Sequence, residues 1–294
     1  MMSAEKIVSF LTVLIGEKKF DAVIETADAY LSELQPVDVG YNSMPYSFVS
    51  MEEFLFFSVY EKSRRETTGE TGPNITWVSP EATTVRQLQA YALNELGRYN
   101  ETIAILKEAL EKLNPVGVAL RFEIVEAFLQ KNQVDLAESE LVTLLPMLIT
   151  LPDIAKYYRR LGYCKTELGD YYTAKTCFLY SLLFQKDTLA LRELAYIDEI
   201  VGNPWVVDSS KENDEGFSLA VEMSMCMDIA RKQNLLFIPT KTQISCAEAL
   251  VAAYEEAGNR KNVEKYKRIL WFWDDITKNG ASQESPSEPV RYVN

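Results

Sequence analysis

The sequence predicts an all-α protein built of stacked antiparallel helical hairpins, and three observations carry that prediction. A turn followed by an apolar helix recurs along the middle of the chain, with Tyr99, Val134 and Tyr171 as equivalent positions, 35 and 37 residues apart. No alternating apolar/polar run of the kind that marks a half-buried strand is present. The hydrophobic fraction of 47% with only 12 glycines among 294 residues is enough to bury a core, which excludes disorder for the bulk of the chain.

Taken in order, Lys18-Lys-Phe-Asp-Ala-Val-Ile24, with Ala27 and Tyr30-Leu31 on one face, reads as the second helix of a hairpin over residues 1 to 35. Gln35-Pro36 and the stretch Gly40 to Pro45 break it. Residues Glu52 to Arg65 form a helix whose apolar start, Phe54-Leu-Phe-Phe57, calls for packing on both sides. Glu66 to Pro73 has neither periodicity nor apolar anchors and reads as a loop. Ser79-Pro80-Glu81 restarts a helix, with Ser79 as N-cap and Pro80 in the first turn.

Three contiguous units follow, at about 83–117, 118–151 and 152–188. The first carries Leu96-Gly97-Arg98-Tyr99, then Ile103, Leu106 and Ala109-Leu110; the second Asn132-Gln133-Val134, then Ala137, Leu141 and Leu144-Leu145; the third Leu168-Gly169-Asp170-Tyr171, then Ala174 and Phe178. Asn132 stands where the others have a turn glycine, and asparagine tolerates the left-handed conformation. Ala90, Ala109, Ala137, Gly162 and Ala174 are the small residues that let paired helices approach, and Leu106, Leu141, Leu161 and Phe178 fill the space between turns. Beyond them lie a helix over Leu189 to Ile200 ended by Gly202, a polar loop over 205–215, a helix over Leu219 to Gln233, a final hairpin over 243–277 and a disordered tail over 279–294.

The aromatic, Leu-Gly and Ala-x-x-x-Phe steps of Tyr158-Arg-Arg-Leu-Gly162 and Leu168 to Phe178 resemble the tetratricopeptide (TPR) repeat, a helix-turn-helix unit of about 34 residues. The layout also resembles that of bacterial TPR-containing proteins with an aromatic-rich insertion before the first strong repeat. The resemblance is clear over residues 83–188, while the units at 1–35 and 243–277 read as degenerate end hairpins. Arg86 and Arg121 stand where the family has a large aromatic, and Lys165 replaces a tyrosine. The resemblance implies one right-handed superhelical solenoid over 1–278 and, for function, a non-enzymatic scaffold that binds a peptide or protein segment in its concave groove. Residues lining such a groove without a packing duty are Gln87, Tyr91 and Asn94 in the first unit, Phe122, Glu126 and Leu129 in the second, and Arg159, Tyr163 and Thr166 in the third. Of the basic, asparagine-paired clamp with which one branch of the family holds acidic tails, only Asn94, Lys156 and Arg159 are matched, and Glu126 opposes it.

Composition narrows the partner. With 43 acidic and 30 basic residues the net charge is −13, which opposes binding to nucleic acid or an anionic membrane and favours a neutral or basic segment. The absence of histidine removes Ser-His and Cys-His nucleophile pairs and His-containing zinc sites, so no catalytic, metal or cofactor residues are assigned. Cys164, Cys177, Cys226 and Cys246 form no Cys-x-x-Cys pair and read as buried thiols of a reducing compartment. Ile7 to Ile15 is a short apolar run, but Glu5 precedes it and Gly16 to Phe20 continues the hairpin, so the expected location is cytoplasmic rather than secreted. Asp274-Asp275 and Glu52-Glu53 are adjacent pairs that point to different helix faces, so an enzyme would need a separate cleft holding carboxylates of raised pKa. Two other readings stand beside the scaffold: a sensory domain for a small signalling peptide, and self-assembly as a homodimer through Trp271-Phe272-Trp273, of which consecutive side chains 100° apart leave at least one exposed.

Overall fold

The computed structural model describes residues 4–34, 37–202 and 225–280. The polar loop predicted at 205–215, the start of the helix predicted from Leu219, and the predicted tail from 281 onward lie outside the described residues. Within them the chain is all-α, apart from two four-residue strands. The elements run α1 (Ala4–Gly16), α2 (Phe20–Glu33), β1 (Ser43–Tyr46), α3 (Met51–Thr68), β2 (Asn74–Trp77), α4 (Glu81–Glu95), α5 (Tyr99–Lys112), α6 (Val118–Gln130) and α7 (Val134–Leu144). After a single 3-10 turn at Leu145–Met147 come α8 (Leu151–Glu167), α9 (Tyr171–Phe184), α10 (Thr188–Val201), α11 (225–232), α12 (Lys241–Glu256) and α13 (Arg260–Gly280).

Five hairpins, α1/α2, α4/α5, α6/α7, α8/α9 and α12/α13, share one turn. Each places a single residue at positive φ: Lys18, Gly97, Asn132, Gly169 and Gly258. In each, the following amide donates back across five residues, as in Arg98 N to Leu93 O, Gln133 N to Phe128 O and Asp170 N to Lys165 O. The same bond forms from Lys19 to Leu14 and from Asn259 to Tyr254. This is the Schellman arrangement, which satisfies the last carbonyls of the first helix and aims the chain into the second. The small residues do what their spacing predicts: a Cβ added at Gly162 would meet the Phe178 ring at 3.0 Å, so α8 and α9 touch closely. Adjacent hairpins then pack, α4 on α1, α2 and α6, and α7 on α8.

The three positions at which the sequence departs from the repeat pattern it resembles carry ion pairs between helices. Arg121 on α6 reaches Glu140 on α7 at 2.7 Å, Lys165 on α8 reaches Glu138 on α7 at 2.6 Å, and Arg86 on α4 lies 3.8 Å from Asp28 on α2.

The insertion between the first hairpin and α4 departs from expectation. β1 and β2 pair in parallel, Ser43 with Asn74 through Tyr46 with Trp77, with α3 as the crossover. Helix α3 continues to Thr68 and ends on Gly69 at φ 72°, so the first three residues of the predicted 66–73 loop are helix. The strands escaped notice because four residues are too few for a periodicity and both faces are partly covered. Ser79 is not the cap of α4 either. The Thr83 amide donates to the Ser47 hydroxyl, which itself donates to Ser79 O at 2.7 Å, so a serine 36 residues upstream supplies the cap.

The C-terminal third folds back. Helix α9 is buried on every side, with even Lys175 fully covered and 2.9 Å from Asp198 on α10. Against it lies α11, where Cys226 donates to Thr176 O. The chain then crosses α8, whose Tyr158 hydroxyl donates to Leu235 O at 2.6 Å. Helix α12 docks on α3, and its Gln243 side chain donates to Leu145 O and Leu148 O between α7 and α8. Glu52 at the start of α3 accepts from the Tyr266 hydroxyl and from Lys265 on α13, a contact more than 210 residues apart in sequence. The final hairpin, α12 with α13, therefore rests on the N-terminal insertion. The four cysteines are free and buried, and burial pushes the thiols of Cys164, Cys226 and Cys246 up to about 12, so they are inert at neutral pH.

Candidate functional site

The first helices of the three central units, α4, α6 and α8, share a polar face whose members touch in sequence across the units. Asn94 on α4 donates to Glu123 on α6, through both its backbone and its carboxylate oxygen. One turn further along α6, Glu126 pairs with Arg160 on α8 at 2.8 Å. Lys156 on α8 lies 4.3 Å above the Phe122 ring. Tyr91, 38% exposed, stands beside Glu95 and Glu123; burial first, then these carboxylates, holds its phenol above the ordinary value. Tyr163 repeats the arrangement two units later, raised by burial and then by Glu167, with Glu126 also adjacent. Both tyrosines carry a glutamate four residues on, which places it one helical turn away on the same face.

Local sequence explains why α8 presents its share so regularly. Thr150 caps its N-terminus, accepting from the Asp153 amide, and Pro152 occupies the first turn. From that fixed start Lys156, Arg160, Tyr163 and Glu167 fall at steps of three and four along one stripe.

Of the residues predicted for the groove, Tyr91, Asn94, Glu126 and Tyr163 are brought together, and Gln87 is half-buried on the same helix as Tyr91. The structure places three others elsewhere. Phe122 is 3% exposed and belongs to the core, serving as the platform under Lys156. Thr166 is 8% exposed and its hydroxyl donates to Gly162 O, a bond within its own helix. Arg159 turns away toward α10, 3.4 Å from Asp187, the carboxylate that caps that helix by accepting from the Leu189 amide at 2.7 Å. Its neighbour Arg160 occupies the place expected of it, and Glu123 was missed altogether. An inserted residue between units moves the frame by 100°, so a one-residue error in frame exchanges Arg159 for Arg160.

At one end this face opens into a cleft of about 290 Å³ between α3, α6 and α8, lined by Glu52, Glu53, Phe122, Asp153 and Lys156 among others. Burial is the chief cause that holds the carboxyls of Glu53, Asp153 and Glu123 above their ordinary values, and it holds the Lys156 ammonium below its own. So a cleft with carboxylates of raised pKa does exist, as an enzyme would require. Each is nonetheless tied into the scaffold. Glu53 accepts from Val49 N at 2.9 Å, Asn114 Nδ2 at 2.6 Å and Val118 N at 3.3 Å, while Asp153 is engaged by Thr150.

These shifts set a pH dependence. For Glu53, Asp153 and Glu123 the folded-state pKa lies above the ordinary 4.5 or 3.8, so the folded state binds their protons more tightly than the unfolded chain does. The stability they contribute is complete below the ordinary values and is lost as pH rises through the raised ones. Glu52 and Glu61 are held below 4.5, Glu52 by Tyr266 and Lys265 in spite of burial and Glu61 chiefly by Arg64, and they act in the opposite sense at lower pH. The thermal midpoint is therefore expected to rise as pH falls from 7 toward 5 and to drop again below the ordinary carboxylate range. A midpoint that climbs steadily from pH 5 to 8 would contradict the assignment.

No protein-family model matches this chain, and no curated protein matches it. Among the described residues no helix is long and apolar enough to cross a membrane, and no cluster of His, Cys, Asp and Glu is arranged to hold a metal ion.

Proposed function

We propose that the chain is a TPR-type repeat protein whose first-helix face, across α4, α6 and α8, holds an extended peptide rich in lysine and arginine. The observation that carries this reading is the continuous strip in which Tyr91–Glu95 and Tyr163–Glu167 repeat the same aromatic-carboxylate pair, with Glu123 and Glu126 between them. Four carboxylates face two cations, Lys156 and Arg160, so the strip is acidic where it is most exposed. A guanidinium or ammonium is attracted both to a phenol face and to the adjacent carboxylate. The shared turns of five hairpins support the repeat assignment, and the negative charge of the whole chain favours encounter with a basic segment.

Fluorescence anisotropy with a labelled Lys/Arg-rich peptide, beside its Glu-substituted counterpart, tests the reading. The basic peptide is expected to bind, and Tyr91→Ala with Tyr163→Ala to weaken it by at least about tenfold, equivalent to roughly 1.4 kcal/mol. Equal binding of the two peptides, or an affinity indifferent to the double substitution, sinks the proposal.

Catalysis in the cleft is the second reading, favoured by the proximity of Asp153 and Lys156 with opposed pKa shifts. Binding is preferred because the hydrogen bonds of Glu53 and Asp153 are spent on holding helix ends in place.

A further inference from the structure

The last helix presents a surface of opposite character. Between residues 260 and 271, α13 carries Arg260, Lys261, Lys265, Lys267 and Arg268 against the single acid Glu264, in a chain of net charge −13. Trp273 on this helix is buried and Phe272 packs edge-on to Phe184 at 5.6 Å, but Trp271 is 69% exposed. Its indole borders a depression of about 360 Å³ shared with Glu264, Lys267 and Arg268. A second depression of about 390 Å³ adjoins it, sharing Glu264 and Arg268 and extending past Lys261 to Leu151 and Pro152 at the start of α8. Lys265 and Lys267 are engaged by Glu52 and Glu255, whereas no hydrogen bond or ion pair holds the side chains of Lys261 and Arg268 among the described residues.

From this we infer that the outer face of α13 is a docking surface for an acidic protein segment bearing an apolar anchor, which seats beside Trp271 while its carboxylates meet Arg268 and Lys261. Tryptophan and arginine are the residues that most often dominate interface energetics, and here both line the first depression. Charge decides among occupants. A two-fold contact between copies through this face would set Arg268, Lys267 and Lys261 against their own equivalents, which like-charge repulsion opposes. Nucleic acid presents dense negative charge to the whole molecule, whose remaining surface is acidic and repels it.

The test uses the full chain and a labelled short peptide of Asp and Glu around a central Phe-Leu pair, beside its Asn/Gln counterpart. The acidic peptide is expected to bind at least about tenfold more tightly than the neutral one, to weaken as salt is raised, and to lose at least about tenfold on Trp271→Ala or on Arg268→Glu with Lys261→Glu. These side chains are exposed, so the variants should keep the thermal midpoint of the parent. Tyr91→Ala with Tyr163→Ala should leave this binding intact, which separates it from the groove on α4, α6 and α8. Equal binding of the two peptides, or insensitivity to both α13 variants, overturns the inference. It is likewise overturned if light scattering shows self-association that Trp271→Ala abolishes, or if a DNA duplex binds more tightly with the same variant sensitivity.

Discussion

Glu53→Ala is expected to remove on the order of 3–5 kcal/mol of folding stability. Its carboxylate gathers the Val49 amide ahead of α3, the Asn114 side chain at the end of α5 and the Val118 amide at the start of α6. Alanine leaves all three donors without an acceptor in a region where Asn114 is fully buried. Its raised pKa says that the negative charge itself is disfavoured there, burial outweighing the donors. Glu53→Gln, which keeps an acceptor oxygen and discards the charge, should therefore cost only about 1–2 kcal/mol. Urea denaturation of both variants measures the difference. If Gln is as damaging as Ala, the charge holds the insertion in place and acceptor geometry does not.

Gly162→Leu is expected to exceed the roughly 3 kcal/mol typical of overpacking and to prevent α8 and α9 from pairing. An added Cβ already meets three atoms of the Phe178 ring at 3.0 to 3.1 Å, and the ring is 1% exposed with no room to withdraw. Gly162→Ala opposes two effects: about 1 kcal/mol gained in helix propensity against about 1–3 kcal/mol of compression. A small net loss follows, and it should be relieved when Phe178→Leu is added. A double-mutant cycle by thermal denaturation reads that coupling. Additive effects of the two changes would mean that the helices are not set apart by this contact.

Gly162 is also the position at which sequence reasoning works best. A small residue, an aromatic sixteen positions later and a Leu-Gly turn between them specify a close hairpin, because all the interacting groups lie within one unit of chain. The same holds for the left-handed turns at Gly97, Asn132, Gly169 and Gly258, whose conformation depends on the residue itself and its immediate neighbours. Lys18 adopts that conformation without a side chain that favours it; the sequence reading begins the second helix there, whereas the helix starts at Phe20 and Lys18 is the turn. Tyr91, Asn94, Glu126 and Tyr163 were placed by counting from those turns on the frame that the TPR resemblance implies, and the structure brings them onto one face.

Phe122 shows where that counting ends. Its place on the helix suits a groove, but α3 comes down over the start of α6 and α8, and the ring becomes core with Lys156 above it. Nothing in the neighbourhood of Phe122 announces a helix that begins some 70 residues earlier. Ser47 capping α4, and Arg159 bound to the cap of α10 while Arg160 faces Glu126, are of the same kind.

Hairpins, turns, the small-residue contacts and the absence of histidine chemistry are thus written in the chain alone, since each depends on residues a few positions apart or on composition. The docking of α12 on α3, the Glu52–Tyr266 contact that ties α13 to the insertion, and the gathering of carboxylates from α4, α6 and α8 on one face are settled by folding. Their energies come from burial and pairing between segments as much as 214 residues apart, for which local periodicity carries no signal.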